Sequence, residues 1–213
     1  STTVTLVSAG TCTINADQAG NSYYSAATQV QQSFTVAAAL TITTPNSGLS
    51  GTYNSSYSLA ISSSGGTGTK TFSLTGTLQA GLSLNTSTGT ISGTPTEVSD
   101  KAVTVTVTDQ ASATATTTSF TISIGRASQS ITFGALSNKT MGTGTFTVSA
   151  TASSSLTVAF TSATTGVCTV SSTTVTLVSA GTCTINADQA GNSYYSAATQ
   201  VQQSFTVAAA LTI

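Results

Sequence analysis

Three cysteines are the residues of this sequence whose type and spacing best suit covalent chemistry. Cys168 and Cys183 lie on two predicted strands, which a further predicted strand over residues 174–178 separates. This arrangement predicts a disulfide that closes a loop of about 15 residues and stabilises its domain by roughly 3 kcal/mol. Two buried free thiols are the alternative. A metal site would be incomplete, because two sulfurs without His or nearby carboxylates do not fill a coordination shell.

Cys12 belongs to a segment that occurs twice in the sequence. Residues 1–42 and 172–213 are identical, at an offset of 171 residues, so Cys12 is the counterpart of Cys183. An identity of this length indicates a tandem repeat. Half of a β-sandwich would expose its apolar face and an open sheet edge. We therefore expect residues 1–42 to belong to a longer array or to be completed by a neighbouring chain, with the disulfide partner of Cys12 outside this sequence.

Catalytic chemistry has few candidate residues. The sequence has no His and no Trp, which excludes Ser–His–Asp and Cys–His catalysis as well as imidazole ligation of zinc. Glu97 and Asp100 are close in the sequence, but one such pair beside a Lys is more typical of a solvated turn than of a glycosidase. The sequence predicts that the chain is not an enzyme and uses no cofactor.

Calcium is the metal for which the carboxylates have to be weighed. Ca²⁺ takes six to eight oxygen ligands, several of them from carboxylates. Glu97, Asp100 and Asp109 are the candidate ligands. Asp100 precedes a predicted strand and Asp109 follows it, so we expect the two at opposite ends of their domain. Asx turns and loop solvation are the simpler roles for these residues, and the sequence predicts no metal site.

The composition favours an all-β protein. Charged residues make up 4% of the chain, Ser and Thr together supply 83 of its 213 residues, and the mean hydropathy is +0.25. Disordered chains combine low hydrophobicity with high net charge, and this chain has neither. With four Lys and Arg and a net charge of −1, it cannot neutralise a nucleic-acid backbone or an anionic membrane surface. No apolar run reaches the length of a membrane span.

Alternating apolar residues predict short strands. The plainest case is residues 102–108, where Val103, Val105 and Val107 share one face, and residues 70–75 and 119–124 alternate in the same way. Glycine-rich turn signals separate these runs. Several short strands at such spacing are typical of a β-sandwich.

Two stretches resemble known bacterial repeats. The run LTGTLQAGLSLNTSTGTISGTPTEVSDKAVTVTVTD at 74–109 resembles the bacterial "Putative Ig" repeat family. The run QSITFGALSNKT at 129–140, followed by VCTV and by GTCTINADQAGNSYYSAA at 181–198, resembles a second bacterial Ig-like repeat, which carries two cysteines and is common in large surface adhesins. The resemblances imply Ig- or cadherin-like domains of extracellular bacterial proteins, and no particular ligand.

These observations together predict tandem immunoglobulin-like β-sandwich domains in an extended rod. Residues 1–39 would be the C-terminal half of a cysteine-bearing domain, and residues 40–124 a sandwich of the Putative Ig type. Residues 125–213 would be a complete cysteine-bearing domain with the start of the next linker. The junctions are short and are neither Gly/Ser-rich nor Pro-rich, which favours a stiff array.

The predicted function is architectural. The repeats would form the shaft of a large secreted bacterial surface adhesin or of an extracellular filament, with neighbouring repeats of the same chain, and like chains in a filament, as partners. A disulfide requires an oxidising compartment, which agrees with a location at the cell surface. Two alternatives stay open: a self-assembling fibre subunit with contacts between chains, and a module that binds a glycan or a host surface.

Overall fold

The structure is a computed structural model that describes residues 3–211. Ser1, Thr2, Thr212 and Ile213, the outermost residues of the two identical segments, lie outside the described residues. All the regular elements of the described part are β-strands, which confirms the all-β prediction.

The strands of the first part of the chain are β1 (Gly10–Ala16), β2 (Val30–Val36), β3 (Thr41–Ile42), β4 (Ser50–Thr52), β5 (Tyr57–Ala60), β6 (Ser63–Ser64), β7 (Lys70–Gly76), β8 (Leu82–Asn85), β9 (Thr90–Gly93), β10 (Ser99–Asp109), β11 (Thr114–Thr116) and β12 (Phe120–Gly125). The later strands are β13 (Ile131–Phe133), β14 (Lys139–Thr140), β15 (Phe146–Thr147), β16 (Ala150–Ala152), β17 (Ala159–Ser162), β18 (Cys168–Ser171), β19 (Thr174–Leu177), β20 (Gly181–Asp188) and β21 (Val201–Ala208).

Contacts between residues divide the chain into two compact units. The first unit contains the described residues up to Gly51 together with Ser56–Pro95 and Ser99–Ser123. The second unit contains Thr52–Ser55, Thr96–Val98 and the described residues from Ile124 onward. The finer division into a half-domain, a middle domain and a complete domain stays a prediction.

Strand β10 organises the larger sheet of the first unit. It pairs with β7 in antiparallel register, from Val103 opposite Gly76 to Asp109 opposite Lys70. It also pairs with β11, and the hydrogen-bonded order β11-β10-β12-β4 completes this sheet. A smaller sheet of the same unit has the order β5-β9-β8, and β3 pairs with β6.

Alternate side chains of these strands form the core of the first unit. The buried residues of β10 and of the part of β12 in this unit are at most 6% exposed: Val103, Val105, Val107, Asp109, Phe120 and Ile122. The intervening Thr side chains of β10 are partly exposed. This pattern confirms the period-two prediction, because β-branched residues on a pleated strand place Val toward the core and Thr toward solvent.

Gln79 is a polar member of this core. It lies between β7 and β8 and is 1% exposed. Its Nε2 donates hydrogen bonds to the carbonyl oxygens of Ser99, at 3.0 Å, and Ile122, at 2.7 Å. Those carbonyls belong to the neighbouring strands β10 and β12, so one amide satisfies one buried and one partly buried acceptor and ties a connecting loop to the larger sheet.

The second unit is built around the antiparallel hairpin β20–β21, in register from Gly181 opposite Val207 to Ala187 opposite Val201. Strand β17 pairs with the outer edge of β20 and β14 with the outer edge of β21, so the sheet order is β14-β21-β20-β17. A three-stranded sheet, β15-β19-β18, and the pair β13–β16 complete this unit. Its core consists of Ile131, Phe133, Val148, Ala152, Val158, Cys168, Val175, Cys183, Ile185, Ala187, Phe205 and Val207.

We expect Gln79→Ala to destabilise the first unit by about 2 kcal/mol or more, because the carbonyls of Ser99 and Ile122 would lose a buried donor. Thermal unfolding by calorimetry would measure the change. Gln110→Ala is the matched control, since Gln110 is exposed. Equal transition temperatures for the two variants would contradict the role assigned to Gln79.

Candidate functional site

The structure joins Cys168 to Cys183 in a disulfide, with their Cα atoms 5.7 Å apart. Cys168 begins β18 and Cys183 lies in β20, and β19 comes between them in the chain, as the sequence predicts. Both residues are 0% exposed, in the centre of the core of the second unit. Ser162 Oγ lies 3.4 Å from the Cys168 sulfur. A buried disulfide among apolar side chains is a structural cross-link, because no solvent thiol reaches it easily.

The calcium candidates are not brought together. Asp100 is the second residue of β10 and Asp109 its last, so they are nine positions apart along the strand, about 30 Å at 3.3 Å per residue. Asp100 and Asp109 therefore lie within the strand, whereas the sequence predicted one before it and one after it. Glu97 precedes β10, on the side of Asp100. Within residues 3–211 no group of three or more His, Cys, Asp or Glu side chains could hold a metal ion.

Asp109 instead organises the loops around it. Its Oδ2 accepts a hydrogen bond from the backbone N–H of Thr67 at 2.7 Å, and its Oδ1 accepts from those of Ala111 and Ala113, each at 2.9 Å. These are Asx-turn bonds plus one long-range contact, which holds the glycine-rich loop at Gly66. Gly66 has φ +73, and a Cβ there would lie 2.9 Å from Asp109 Oδ2.

This environment shifts the acidity of the carboxyl. The hydrogen bond from the Thr67 backbone N–H lowers the pKa of Asp109 below its ordinary value of 3.8. The N–H groups of Ala113 and Ala111 and the charge of Lys70 act in the same direction, and they prevail over the effect of desolvation. The carboxylate is thus stabilised in its charged form mainly by the long-range bond from Thr67, and further by the turn at Ala111 and Ala113.

One groove of the second unit was a candidate for catalytic chemistry. A groove of about 450 Å³ in the second unit has a lining of apolar and hydroxyl-bearing residues. The lining residues are Val148, Ser149, Ala150, Thr151, Ala152, Ser155, Leu156, Thr157, Val158, Phe160 and Thr173. No titratable side chain is among them, so the groove holds no acid, base or nucleophile activated by a neighbour.

The hairpin β1–β2 has the same sequence as β20–β21 but a different environment. It forms a two-stranded sheet, and within the described residues no third strand joins it. Ile14 is 37% exposed and Phe34 43%, whereas their counterparts Ile185 and Phe205 are 0% and 3% exposed. Cys12 is a free, half-buried thiol. The expectation that residues 1–42 belong to a longer array or are completed by a neighbouring chain stays a prediction.

The uncovered hairpin nevertheless has the geometry of the covered one. Gly10 stands opposite Val36, as Gly181 stands opposite Val207. The hydroxyls of Thr13 and Ser33 lie 2.9 Å apart, and their counterparts at 184 and 204 lie 2.8 Å apart. In both copies a Gln amide donates to an Asp carboxylate at 2.8 Å, Gln29 to Asp17 and Gln200 to Asp188. The hairpin and its loop are therefore already in the conformation of a complete domain.

The sheets of the two units define a class, that of all-β proteins with immunoglobulin-like β-sandwich domains. Residues 38–125 match the family described as Putative Ig domain. The resemblance noted for residues 74–109 is thereby confirmed. No curated protein matches the sequence.

Solved structures similar to this chain come from several sources. Human protocadherin-24 EC1-2 is 11% identical, with 83% of this chain and 100% of that one covered and a TM-score of 0.38. The D00-D0 domain of intimin is 15% identical, with 79% and 98% covered and a TM-score of 0.34. The fibronectin(III)-like modules of Clostridium thermocellum CbhA are 15% identical, with 80% and 94% covered and a TM-score of 0.32.

Two further observations bear on location. No helix long and apolar enough to cross a membrane occurs in the described part of the chain. Disulfides persist in oxidising compartments, and the bond between Cys168 and Cys183 is consistent with an extracellular protein.

Reduction of the disulfide is expected to lower the free energy of unfolding of the second unit by about 3 kcal/mol, because the unfolded chain regains the freedom of the closed loop. Urea unfolding with and without dithiothreitol would measure this, alongside a Cys168→Ala/Cys183→Ala variant that should not respond to the reductant. Cys12→Ser is the control and should unfold like the original chain. The chain has to be reduced in urea, where the buried bond is accessible, and then refolded in dithiothreitol; equal unfolding of this reduced chain and the oxidised chain would refute a stabilising disulfide.

Asp109 is expected to make the first unit sensitive to acid. Its pKa is lower in the folded state than in the unfolded state, so it contributes stability above the unfolded value of 3.8. That contribution is lost as the pH falls through the folded pKa. Asp109→Asn should therefore be less stable at pH 7 and show a flatter stability profile between pH 5 and 2. Thermal unfolding across that range would test it, with Asp100→Asn, at an exposed position, as the control.

Proposed function

We propose that the chain is a shaft or extender repeat of a large secreted bacterial surface adhesin or extracellular filament. The observation that carries the proposal is the identity of residues 1–42 and 172–213, which sets a period of 171 residues. One period suits two sandwich domains of about 85 residues each. Its partners are then the neighbouring repeats of the same chain.

The chemistry of the described residues supports a mechanical role. The candidate carboxylates are apart, the disulfide is buried, and the groove near Val158 has no titratable lining residue. Thr hydroxyls occupy most of the partly exposed positions of β10, and only 4% of the chain is charged. A spacer needs stable domains and a soluble, inert surface, and these features supply both.

The proposed location is the outside of a bacterial cell. The disulfide contributes to stability only where thiols are oxidised. The Putative Ig match at residues 38–125 agrees with this location, since adhesion-type Ig-like domains are typically extracellular.

The length of engineered arrays tests the proposal. Proteins with one, two and three added periods of 171 residues should lengthen linearly, by roughly 80 Å per period on strand dimensions. Electron micrographs and small-angle X-ray scattering would measure the increments. A flexible array would instead lengthen with the square root of the number of residues, and that result would contradict a shaft. Saturable binding of the same proteins to a glycan array would favour the binding-module alternative.

A further inference from the structure

Three alanines follow the apolar end of each copy of the repeated hairpin, and they are defined here as the alanine joint. Residues 37–39 follow β2, and their counterparts, residues 208–210, begin at the last residue of β21. The composition indicates a plain short linker, since none of these side chains is large or polar. Because the two copies are identical in sequence, contacts of one copy are expected in the other wherever the same neighbouring segment is present. The two copies together therefore describe both sides of the joint.

The second unit holds the first alanine of the joint. The carbonyl oxygen of Ala208 accepts a hydrogen bond from the backbone N–H of Met141, at 2.9 Å. This bond continues the parallel pairing of β14 with β21, in which Thr140 lies opposite Ala208. The first alanine is therefore the end of a sheet strand and is not part of a loose connection.

The first unit holds the second alanine. The carbonyl oxygen of Ala38 accepts a hydrogen bond from the backbone N–H of Gly66, at 2.8 Å. Gly66 lies two residues beyond β6, which pairs with β3. In that pair Thr41 lies opposite Ser64, and their hydroxyl oxygens are 2.7 Å apart. The loop after β6 therefore continues this antiparallel pairing back to the joint.

Glycine is required where this loop meets the third alanine. Gly65 has φ +67, and a Cβ there would collide with the carbonyl oxygen of Ala39. A side chain is thus excluded both by the left-handed backbone conformation and by the close approach of the two backbones. The loop and the joint therefore fit each other backbone against backbone.

Asp109 connects the loop to the strand that organises the larger sheet. Its Oδ2 accepts from the backbone N–H of Thr67 at 2.7 Å, and the carbonyl oxygen of Thr67 accepts from the N–H of Gln110 at 3.1 Å. Asp109 is buried and is the last residue of β10. Hydrogen bonds on both sides of Thr67 therefore fix the loop, and with it the contact to the joint, to β10.

We infer that the alanine joint is a specific docking element held from both sides in the array. The N–H of Met141 in the preceding domain binds its first residue, and the loop of residues 65–67 in the following domain binds its second and third. The inference rests on the proposed tandem array, because it combines the contacts of the two copies. It deepens that proposal by naming the residues that determine the direction in which one domain follows the other.

The hydrogen-bonding pattern makes the joint stiff. A flexible linker needs residues whose φ and ψ can vary freely. Here the carbonyl groups of two successive residues are bound to opposite sides, the first to the preceding domain and the second to the following one. Bending at the joint therefore breaks at least one of the two hydrogen bonds or moves the loop away from Asp109.

Hydrogen exchange tests both hydrogen bonds in the full chain. Met141 is the only methionine, so labelled methionine gives a single amide signal in an NMR spectrum. Residues 65–66 are the only Gly-Gly pair, so glycine labelled at the carbonyl carbon and the amide nitrogen identifies the amide of Gly66. We expect both amides to exchange at least about tenfold more slowly than an unstructured amide. Exchange of either amide at the unstructured rate would overturn the inference.

Asp109→Asn tests the anchor of the loop. It replaces one carboxylate oxygen by an NH₂ group, which cannot accept a hydrogen bond. The amide of Gly66 should then exchange at least about tenfold faster, whereas that of Met141, in the other unit, should be unchanged. Asp100→Asn, at an exposed position, is the control and should leave both rates unchanged. Unchanged exchange of Gly66 in a folded Asp109 variant would refute the anchoring role.

The shape of an extended chain tests the role of the joint in the array. In a chain lengthened by one period of 171 residues, Gly65→Ala in both repeats should broaden the distribution of end-to-end distances, measured by spin-label distances and small-angle X-ray scattering. Gly144→Ala is the matched control, because its φ of +80 imposes a similar backbone strain but a Cβ there would meet nothing within 4 Å. Equal distributions for the two folded variants would overturn the role of the joint.

The outcomes separate the joint from the shaft. Fast exchange at Gly66 or Met141 in arrays that lengthen linearly would refute the joint and leave the shaft standing. Slow exchange at both amides, in arrays that lengthen as flexible chains do, would support the two hydrogen bonds but refute the shaft.

Discussion

Burial of the hairpin β20–β21 by residues 131–171 is the constraint on which the second unit depends. The same sequence in β1 and β2 forms the same cross-strand hydrogen bonds, so backbone pairing does not distinguish the two copies. The difference is the cover over Ile185 and Phe205, which Ile14 and Phe34 lack. A two-stranded hairpin is marginal in water, whereas apolar burial contributes about 25 cal/mol per Å². The strands within residues 131–171 therefore stabilise the hairpin β20–β21 as part of a folded domain.

Uncharged polar side chains form cross-strand contacts on the described surfaces of both units. Hydroxyl pairs link neighbouring strands, for example Thr106 with Thr116 at 2.8 Å. Such pairs satisfy polar groups on the exposed face and respond little to salt, because no net charge is involved. A chain with 4% charged residues thus keeps a hydrated surface whose contacts depend weakly on ionic strength. Asp109 departs from this pattern, and its charge is compensated by backbone N–H groups.

The period-two pattern was sufficient for much of the fold. Val103, Val105 and Val107 are buried because alternation on a strand determines which side chains face the core. The strand between Cys168 and Cys183 could be predicted for the same reason. By contrast, the partners of Gln79 belong to β10 and β12, which are distant in the sequence, and an isolated Gln carries no pattern that reveals them. Asp109 was recognised as a turn residue or a calcium candidate, but its bond to Thr67 depends on tertiary structure.

Identical segments pose a pairing problem that chain connectivity resolves. Residues 125–171 could pair with either copy, since both present the same register and apolar face. Their own copy follows directly, with β18 and β19 separated by two residues, whereas β2 lies about 95 residues before β13 in the chain. Loop closure favours the adjacent copy, but each doubling of loop length adds only about 0.6 kcal/mol. Connectivity therefore favours local pairing mainly through the folding rate, because residues 125–171 meet the nearer copy first. The disulfide between Cys168 and Cys183 then cross-links that pairing.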